Sequence, residues 1–319
     1  MRKWILIIVA VLIVIPALLI GVVVYTPAGM NIVTWALPQL DRFGVLIEGV
    51  SGTLSDRIFV ERFELSRPNV HIVSHDIVAK LRVRDFFIQT IGLESLTARD
   101  TQVEILNAPP TPPSTQPLRF LPSFLRVAVH HATFSRLRYV NIDGTTVDAD
   151  ELRGSARISP RRLRVYEFHV DAPQFNLHGS GRLLAQRPLG LELKADGNLR
   201  LARGTEVSAT VQASGDIEQL KIQANVARPD RLDANLLFTR PEGRWRLAGQ
   251  ALAPSISLEP WMESPPLSFR NIDLTFEMDP QGIHAAGNVG VPQWTERDFT
   301  IDARGRYAQR GIQIDDATV

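Results

Sequence analysis

Hydrophobic and polar residues alternate with a period of two along most of the chain from Val45 onward. This pattern is typical of β-strands that have one apolar and one polar face. No segment after Val45 has the periodicity of a long amphipathic helix. The alternation therefore predicts a mainly β protein. The clearest alternating segments are 77–83, 189–195, 207–213, 220–226, 232–238 and 272–278.

Pairs of turn-forming residues separate these segments. From Gly215 they recur at intervals of about 14 and 13 residues, as expected for antiparallel strands joined by short turns. The pattern predicts a meander. The predicted turns are at Asp143-Gly144, Ser159-Pro160, Asp196-Gly197, Gly215-Asp216, Pro229-Asp230, Glu242-Gly243 and Gln281-Gly282.

A proline-rich stretch interrupts the alternation at residues 108–122. Proline lacks the N–H group that a sheet interior requires, so this stretch is predicted to be a linker or an excursion. It divides the β region into a first unit at 45–107 and a second at 123–319. The last alternating segment has no closing element before Val319. We therefore expect further partner strands beyond it, and a chain that is a fragment.

The N-terminal stretch of residues 4–25 contains no charged residue. As a helix it would be about 33 Å long, which is enough to cross a hydrocarbon core of about 30 Å. Arg2 and Lys3 precede it, which places the N-terminus in the cytoplasm and the remainder across the membrane. The alternative is a cleaved signal peptide, but such peptides have shorter apolar regions. We expect an uncleaved anchor with Trp4 and Tyr25 at the interfaces, followed by a short juxtamembrane helix at 26–44.

The composition excludes several classes of function. The 35 basic and 34 acidic residues give a net charge of +1, which argues against neutralising the phosphates of a nucleic acid. The chain has no cysteine, so disulfides, thiolate metal sites and cysteine nucleophiles are absent.

Candidate chemistry is sparse. The sequence contains neither a phosphate-binding P-loop nor a dinucleotide-binding glycine motif. His71 and His75 would share a strand face about 13 Å apart, too far to bind one metal ion without a bulge. We therefore expect no catalytic residue, metal, cofactor or enzymatic activity.

Five arginines between residues 153 and 164 form the densest basic cluster. They favour a charged hairpin end that discourages edge pairing. The alternative is attraction to acidic lipid headgroups. The cluster comprises Arg153, Arg157, Arg161, Arg162 and Arg164.

A sheet with one apolar face must hide that face. It can close into a barrel, pack on a second sheet, or curl into a trough that a ligand fills. The inward residues are mostly aliphatic, which suits acyl chains because these need apolar area and no hydrogen bonds. Periodicity alone does not separate a sandwich core from a trough.

Several segments resemble the N-terminal region of the TamB family, which belongs to a wider AsmA-like group of bridge-like lipid transport proteins. The resemblance extends over roughly residues 1–107 and is more general after that. The segments that carry it are YTPAG at 25–29, VLIEGVSGTL at 45–54, FELSRPNV at 63–70, IGLESLTARDTQVEI at 91–105 and GDIEQL at 215–220.

The resemblance implies a membrane-anchored, elongated antiparallel β-sheet that curls into an apolar groove in the periplasm of a diderm bacterium. Such a groove carries phospholipid between the inner and outer membranes. The family also implies a second role, in which it assists assembly of outer-membrane proteins and autotransporters with the barrel partner TamA, through a C-terminal region that this chain lacks. The residues predicted to line the groove are Leu81, Val83, Val207, Val211, Ile222, Val226, Leu232, Leu236, Phe238, Leu274 and Phe276.

Overall fold

The computed structural model describes residues 44–106, 119–186, 188–201, 204–240, 244–259, 267–308 and 311–318. Within these ranges the chain forms strands and one short 3-10 helix, Val83–Ile88. The strands are β1 (Val45–Glu48), β2 (Ser51–Gly52), β3 (Ile58–Arg67), β4 (Val70–Leu81), β5 (Ile91–Ile105), β6 (Val127–Val140), β7 (Thr146–Ser159), β8 (Arg162–Asp171), β9 (Phe175–Leu184), β10 (Gly190–Arg200), β11 (Glu206–Asp216), β12 (Gln219–Arg228), β13 (Leu232–Thr239), β14 (Arg246–Ser257), β15 (Ser268–Asp279), β16 (Gly282–Gly290), β17 (Asp298–Ala308) and β18 (Gly311–Thr318).

The described residues form two compact units. The first contains residues 44–106, 121–160 and 170–173, and therefore strands β1 to β7. The second contains 119–120, 161–169 and the described residues from 174 onward, and therefore most of β8 and all of β9 to β18. The predicted mainly β fold is confirmed.

The second unit contains an antiparallel meander. From β9 to β18, each strand pairs with the next one in the sequence. Side chains close two of its turns: Asp216 Oδ1 accepts hydrogen bonds of 2.8 Å from the backbone N–H groups of Glu218 and Gln219. Asp279 Oδ1 accepts from Gln281 N–H at 2.8 Å. These local bonds explain why the turn signals in the sequence were informative.

The first unit departs from the predicted antiparallel pattern. Strands β1 and β2 pair with β3, and β3 to β5 are antiparallel. In contrast, β5 and β6 are parallel, from Ile91 opposite Val127 to Glu104 opposite Val140. Parallel neighbours require a long crossover connection, and the chain between β5 and β6 contains the proline-rich stretch. Residues 108–118 of that stretch lie outside the described residues.

In the first unit, the alternation of buried and exposed residues shifts by one position at a row of residues that crosses β4, β5 and β6. In β5, Ala98 and Thr101 are both buried although they are three residues apart. Between them lies Asp100, which has a φ of 49°; Asp76 in β4 and Arg136 in β6 also have positive φ, at 49° and 57°. In each of these three strands, the residue with positive φ shifts the alternation by one position. The buried side chains before and after it therefore lie on the same face of the sheet.

Two predictions about individual elements are wrong. Val83 was expected to continue a strand, but β4 ends at Leu81 and Val83 begins the 3-10 helix. Asp196-Gly197 was expected to form a turn, but it lies inside β10, where Gly197 is opposite Leu177 and Ala209. A Cβ atom on Gly197 would lie 2.4 Å from Asn176 O, so this glycine allows a close approach of two strands.

The predicted membrane anchor at 4–25, with Trp4 and Tyr25, lies outside the described residues, as does the helix predicted at 26–44 apart from Gly44. Within the part of the chain that is described, no helix combines the length and the hydrophobicity needed to cross a membrane.

Candidate functional site

The candidate site is an apolar face shared by the strands of the second unit. Residues directly opposite each other in neighbouring strands point to the same side of a sheet. Ile222 is opposite Leu236 and Val226 is opposite Leu232, which joins the apolar sides of β12 and β13. We call this surface the apolar face. Its principal residues are Leu177, Leu193, Ala195, Val207, Val211, Ala213, Ile222, Val226, Leu232, Leu236, Phe238, Leu247, Leu274, Phe276, Met278 and Ile301.

The strand register carries the apolar face across the meander in both directions. Toward β10, Val211 is opposite Ala195. Toward β15, Leu236 is opposite Gly249, which is itself opposite Phe276. Ala251 is opposite Leu274 in the same pair of strands. The face is therefore continuous from strand to strand.

Nine of the eleven residues predicted to line a groove lie on the apolar face. They are Val207, Val211, Ile222, Val226, Leu232, Leu236, Phe238, Leu274 and Phe276. The other two belong to the first unit: Leu81 is opposite Leu93 at the end of β4, and Val83 is in the 3-10 helix. Their predicted contact with lipid stays a prediction.

Sequence reasoning missed further members of the face in β9, β14 and β17, including Leu177, Leu247 and Ile301. The same alternation marks them, but glycines interrupt it. Gly179 and Gly181 stand on the apolar side of β9, opposite Ala195 and Leu193. Since glycine carries no side chain, its position does not read as apolar in a sequence pattern.

Most large side chains of the apolar face are only half-buried. No large side chain in the described residues is fully buried, and the buried apolar residues of β10 and β11 are the small Ala195 and Ala213. Val211, Ile222 and Leu236 each keep part of their surface accessible. Leucine, isoleucine and phenylalanine in a closed core are usually fully buried. The chain therefore leaves this face partly uncovered.

The face is more closely packed near β14 to β16. Ala253, Ile272 and Val289 form a cluster of buried residues, at 4%, 8% and 4% exposure. Partly buried neighbours surround it, among them Phe269 and Ile301.

The opposite face of the second unit is polar. Gln223 and Asn235 are opposite each other on it, one residue out of phase with Ile222 and Leu236. Ion pairs cross neighbouring strands there, including Arg246 Nη2 to Glu277 Oε1 at 2.7 Å. The two faces of the same strands thus differ sharply in chemistry.

His71 of β4 has two carboxylate partners. His71 Nε2 lies 3.2 Å from Glu64 Oε1, and His71 Nδ1 lies 3.9 Å from Glu104 Oε2. The hydrogen bond with His71, and then the charge of Arg62, lower the pKa of Glu64. His75 lies opposite Arg62 and His71 opposite Ser66. In the described ranges no three histidine, aspartate or glutamate side chains are arranged as metal ligands.

A comparison with protein families gives one match. Residues 16–177, just over half of the chain, match the family described as TamB, N-terminal domain. No curated protein and no solved structure matches the chain significantly.

Proposed function

The chain belongs to the TamB family, and from that premise we propose that it conducts phospholipid between the inner and outer membranes of a diderm bacterium. In this proposal residues 4–25 anchor it in the inner membrane, and the bulk of the chain lies in the periplasm. The observation that carries the proposal is the partly uncovered apolar face, which continues from strand to strand through the second unit.

The chemistry of the apolar face suits acyl chains. Its residues are mainly aliphatic, and they offer apolar area without hydrogen-bonding groups. Each methylene group that leaves water for such a surface contributes about 0.8 kcal/mol. An open face also lets a charged headgroup stay in water while the acyl chains are covered. This arrangement supports transport better than permanent storage, because no closed cavity has to open.

The same premise supports a second role in the translocation and assembly module. Members of the family work with TamA, the outer-membrane barrel. In that role the chain would assist the assembly of outer-membrane proteins and autotransporters. In both roles the chain is a binding protein without enzymatic activity, cofactor or nucleic-acid partner.

Site-specific photo-crosslinking in cells tests the lipid proposal. The crosslinker is placed at Ile222 and Leu236 on the apolar face, and at Gln223 and Asn235 as controls. Each control is adjacent in sequence to a test position but lies on the polar face. We expect mass spectrometry to find phospholipid attached at Ile222 and Leu236 only. Equal capture on both faces, or capture of outer-membrane proteins instead of lipid, would favour the assembly role.

A further inference from the structure

The polar face of the second unit contains a concavity of about 460 Å³ across β8 to β12. It is lined by three consecutive residues from each of β8, β9, β10 and β11, and by two residues of β12. In each group of three, the middle residue occupies an apolar position of its strand, and the residues before and after it supply the polar side chains. The middle residues are Val165, Gly181, Leu193 and Ala213. The residues that supply the polar side chains are Arg164, Tyr166, Ser180, Arg182, Glu192, Lys194, Gln212, Ser214, Lys221 and Gln223. We call this concavity the basic site.

The strand register fixes the positions of these side chains in two rows. In one row, Glu192 is opposite both Arg182 and Ser214, and Ser214 is opposite Lys221. In the other row, Lys194 is opposite both Ser180 and Gln212, and Gln212 is opposite Gln223. The basic site is therefore built on paired strands, which hold side chains more rigidly than loops do.

The charge of the basic site is strongly unbalanced. It contains four cationic side chains and one carboxylate, Glu192, which is already hydrogen-bonded to Arg182. Within the described residues, Lys194 and Lys221 have no ion-pair partner. Other cations of this unit are paired, such as Arg246 with Glu277 and Arg306 with Asp315. Opposite charges directly across neighbouring strands stabilise a sheet face. In the basic site Arg182 and Glu192 are paired in this way, whereas Lys194 and Lys221 lie opposite uncharged residues.

We propose that the basic site binds a phosphate group. Lys194 is opposite Gln212 of β11 and Lys221 is opposite Ser214 of β11, so ammonium, amide and hydroxyl donors line the same concavity. A phosphate offers several charged acceptor oxygens and pairs well with such donors. The group is carried either by the headgroup of a phospholipid or by a soluble phosphate compound. The basic site lies on the face opposite the apolar one, so it does not depend on lipid conduction there.

Titration of inorganic phosphate into the full chain in a non-ionic detergent, followed by phosphorus NMR, tests the proposal. We expect saturable binding. The double variant Lys194→Gln/Lys221→Gln should weaken it by about tenfold or more, because each charge-assisted hydrogen bond contributes 1 kcal/mol or more. The matched control Arg228→Gln/Arg304→Gln removes two exposed cations of the same unit outside the basic site and should change binding by less than about twofold.

The source of the phosphate is separated by two soluble probes, dihexanoyl phosphatidylglycerol below its micelle concentration and glycerol 3-phosphate. Tighter binding of the first that Lys194→Gln/Lys221→Gln weakens identifies a lipid headgroup at the basic site, and tighter binding of the second identifies a soluble phosphate. Absence of saturable phosphate binding, or an equal loss in the control variant, would overturn the proposal. Neither result would affect crosslinking on the apolar face, so the two proposals fail separately.

Discussion

Asp100 and Arg136 form an ion pair between the parallel strands β5 and β6, with Oδ2 and Nη2 2.5 Å apart, and both residues have positive φ. Their side chains are exposed, so the ion pair itself contributes at most about 1 kcal/mol. The backbone conformation is the more important feature. It occurs at the row where the buried side of the first unit changes phase.

The first prediction is that Asp100→Val destabilises the chain, whereas Asp100→Gly is tolerated. A φ of 49° is unfavourable for a β-branched residue and freely accessible to glycine. We expect Asp100→Val to lower the free energy of unfolding by about 1–2 kcal/mol relative to Asp100→Gly. Urea unfolding followed by circular dichroism measures the difference.

The control for this prediction is Gln102→Val in the same strand. Gln102 is exposed and has ordinary strand backbone, where a β-branched residue is favoured. Equal free energies of unfolding for Asp100→Val and Gln102→Val would show that the backbone at Asp100 imposes no cost on a β-branched residue.

The regular strands were predictable because their pattern is local. Segments 207–213, 220–226 and 232–238 alternate without interruption, and each lies within one strand, β11, β12 and β13. Asp216 also acts locally, since its side chain bonds to backbone groups two and three residues further along. Period and turn chemistry suffice for elements of this kind.

The remaining features depend on contacts that a local pattern does not contain. The parallel pairing of β5 with β6 joins residues such as Leu93 and Val129 across the proline-rich stretch. Asp100 adopts positive φ without the glycine that would have marked it. The basic site brings together Arg182, Lys194 and Lys221 from three different strands, so it appears only once the register is known.

The second prediction concerns the pKa of Glu64. The hydrogen bond with His71 is the largest cause that lowers it. His71→Ala should therefore raise the pKa of Glu64 toward its ordinary value, as measured by carboxyl-carbon NMR. His75→Ala is the control, because His75 lies opposite Arg62 on the same strand pair. It should leave the pKa of Glu64 nearly unchanged.

The lowered pKa also sets the sign of a pH dependence. A carboxylate with a lowered folded-state pKa stabilises the fold above its unfolded-state pKa of about 4.3, and this contribution is lost as the pH falls through the folded value. The stability difference between the original chain and His71→Ala should thus shrink below about pH 4. A difference that grew as the pH fell below about 4 would contradict this account of Glu64.

The third prediction compares two glycines of β9. A Cβ atom on Gly179 would lie 2.4 Å from Lys194 O and 2.7 Å from Phe168 Cζ, whereas on Gly181 its nearest neighbour would be Glu192 O at 3.0 Å. Gly179→Ala should cost about 1–3 kcal/mol because neither the backbone nor the ring can move freely. Gly181→Ala should cost less. Equal urea midpoints would show that β8 and β9 are less closely packed.

The fourth prediction concerns the N-terminal segment. Alkaline phosphatase, which is active only outside the cytoplasm, is fused after residue 107. We expect an active fusion that stays with the membrane after alkaline extraction, since residues 4–25 are long enough to span it. A soluble, shortened fusion would identify those residues as a cleaved signal peptide and remove the anchor from the proposed function.

The fifth prediction is that a charge on the apolar face blocks lipid without unfolding the chain. Leu236 is half-buried in β13, between Ile222 of β12 and Gly249 of β14. An arginine at this position in a closed core would cost several kcal/mol and prevent folding. On an open face its long side chain can reach water, so Leu236→Arg should accumulate at a normal level.

Crosslinkers at Val211 and Phe276, which lie on the apolar face on either side of β13, then report the passage of lipid in Leu236→Arg. Capture should persist on the side from which lipid arrives and fall severalfold on the other, because a charge interrupts the apolar path. The matched variant Asn235→Arg carries the same charge one residue away on the polar face, and should leave capture at both positions unchanged. Loss of the folded protein in Leu236→Arg would indicate a closed core, and the assembly role would then be the better account of the chain.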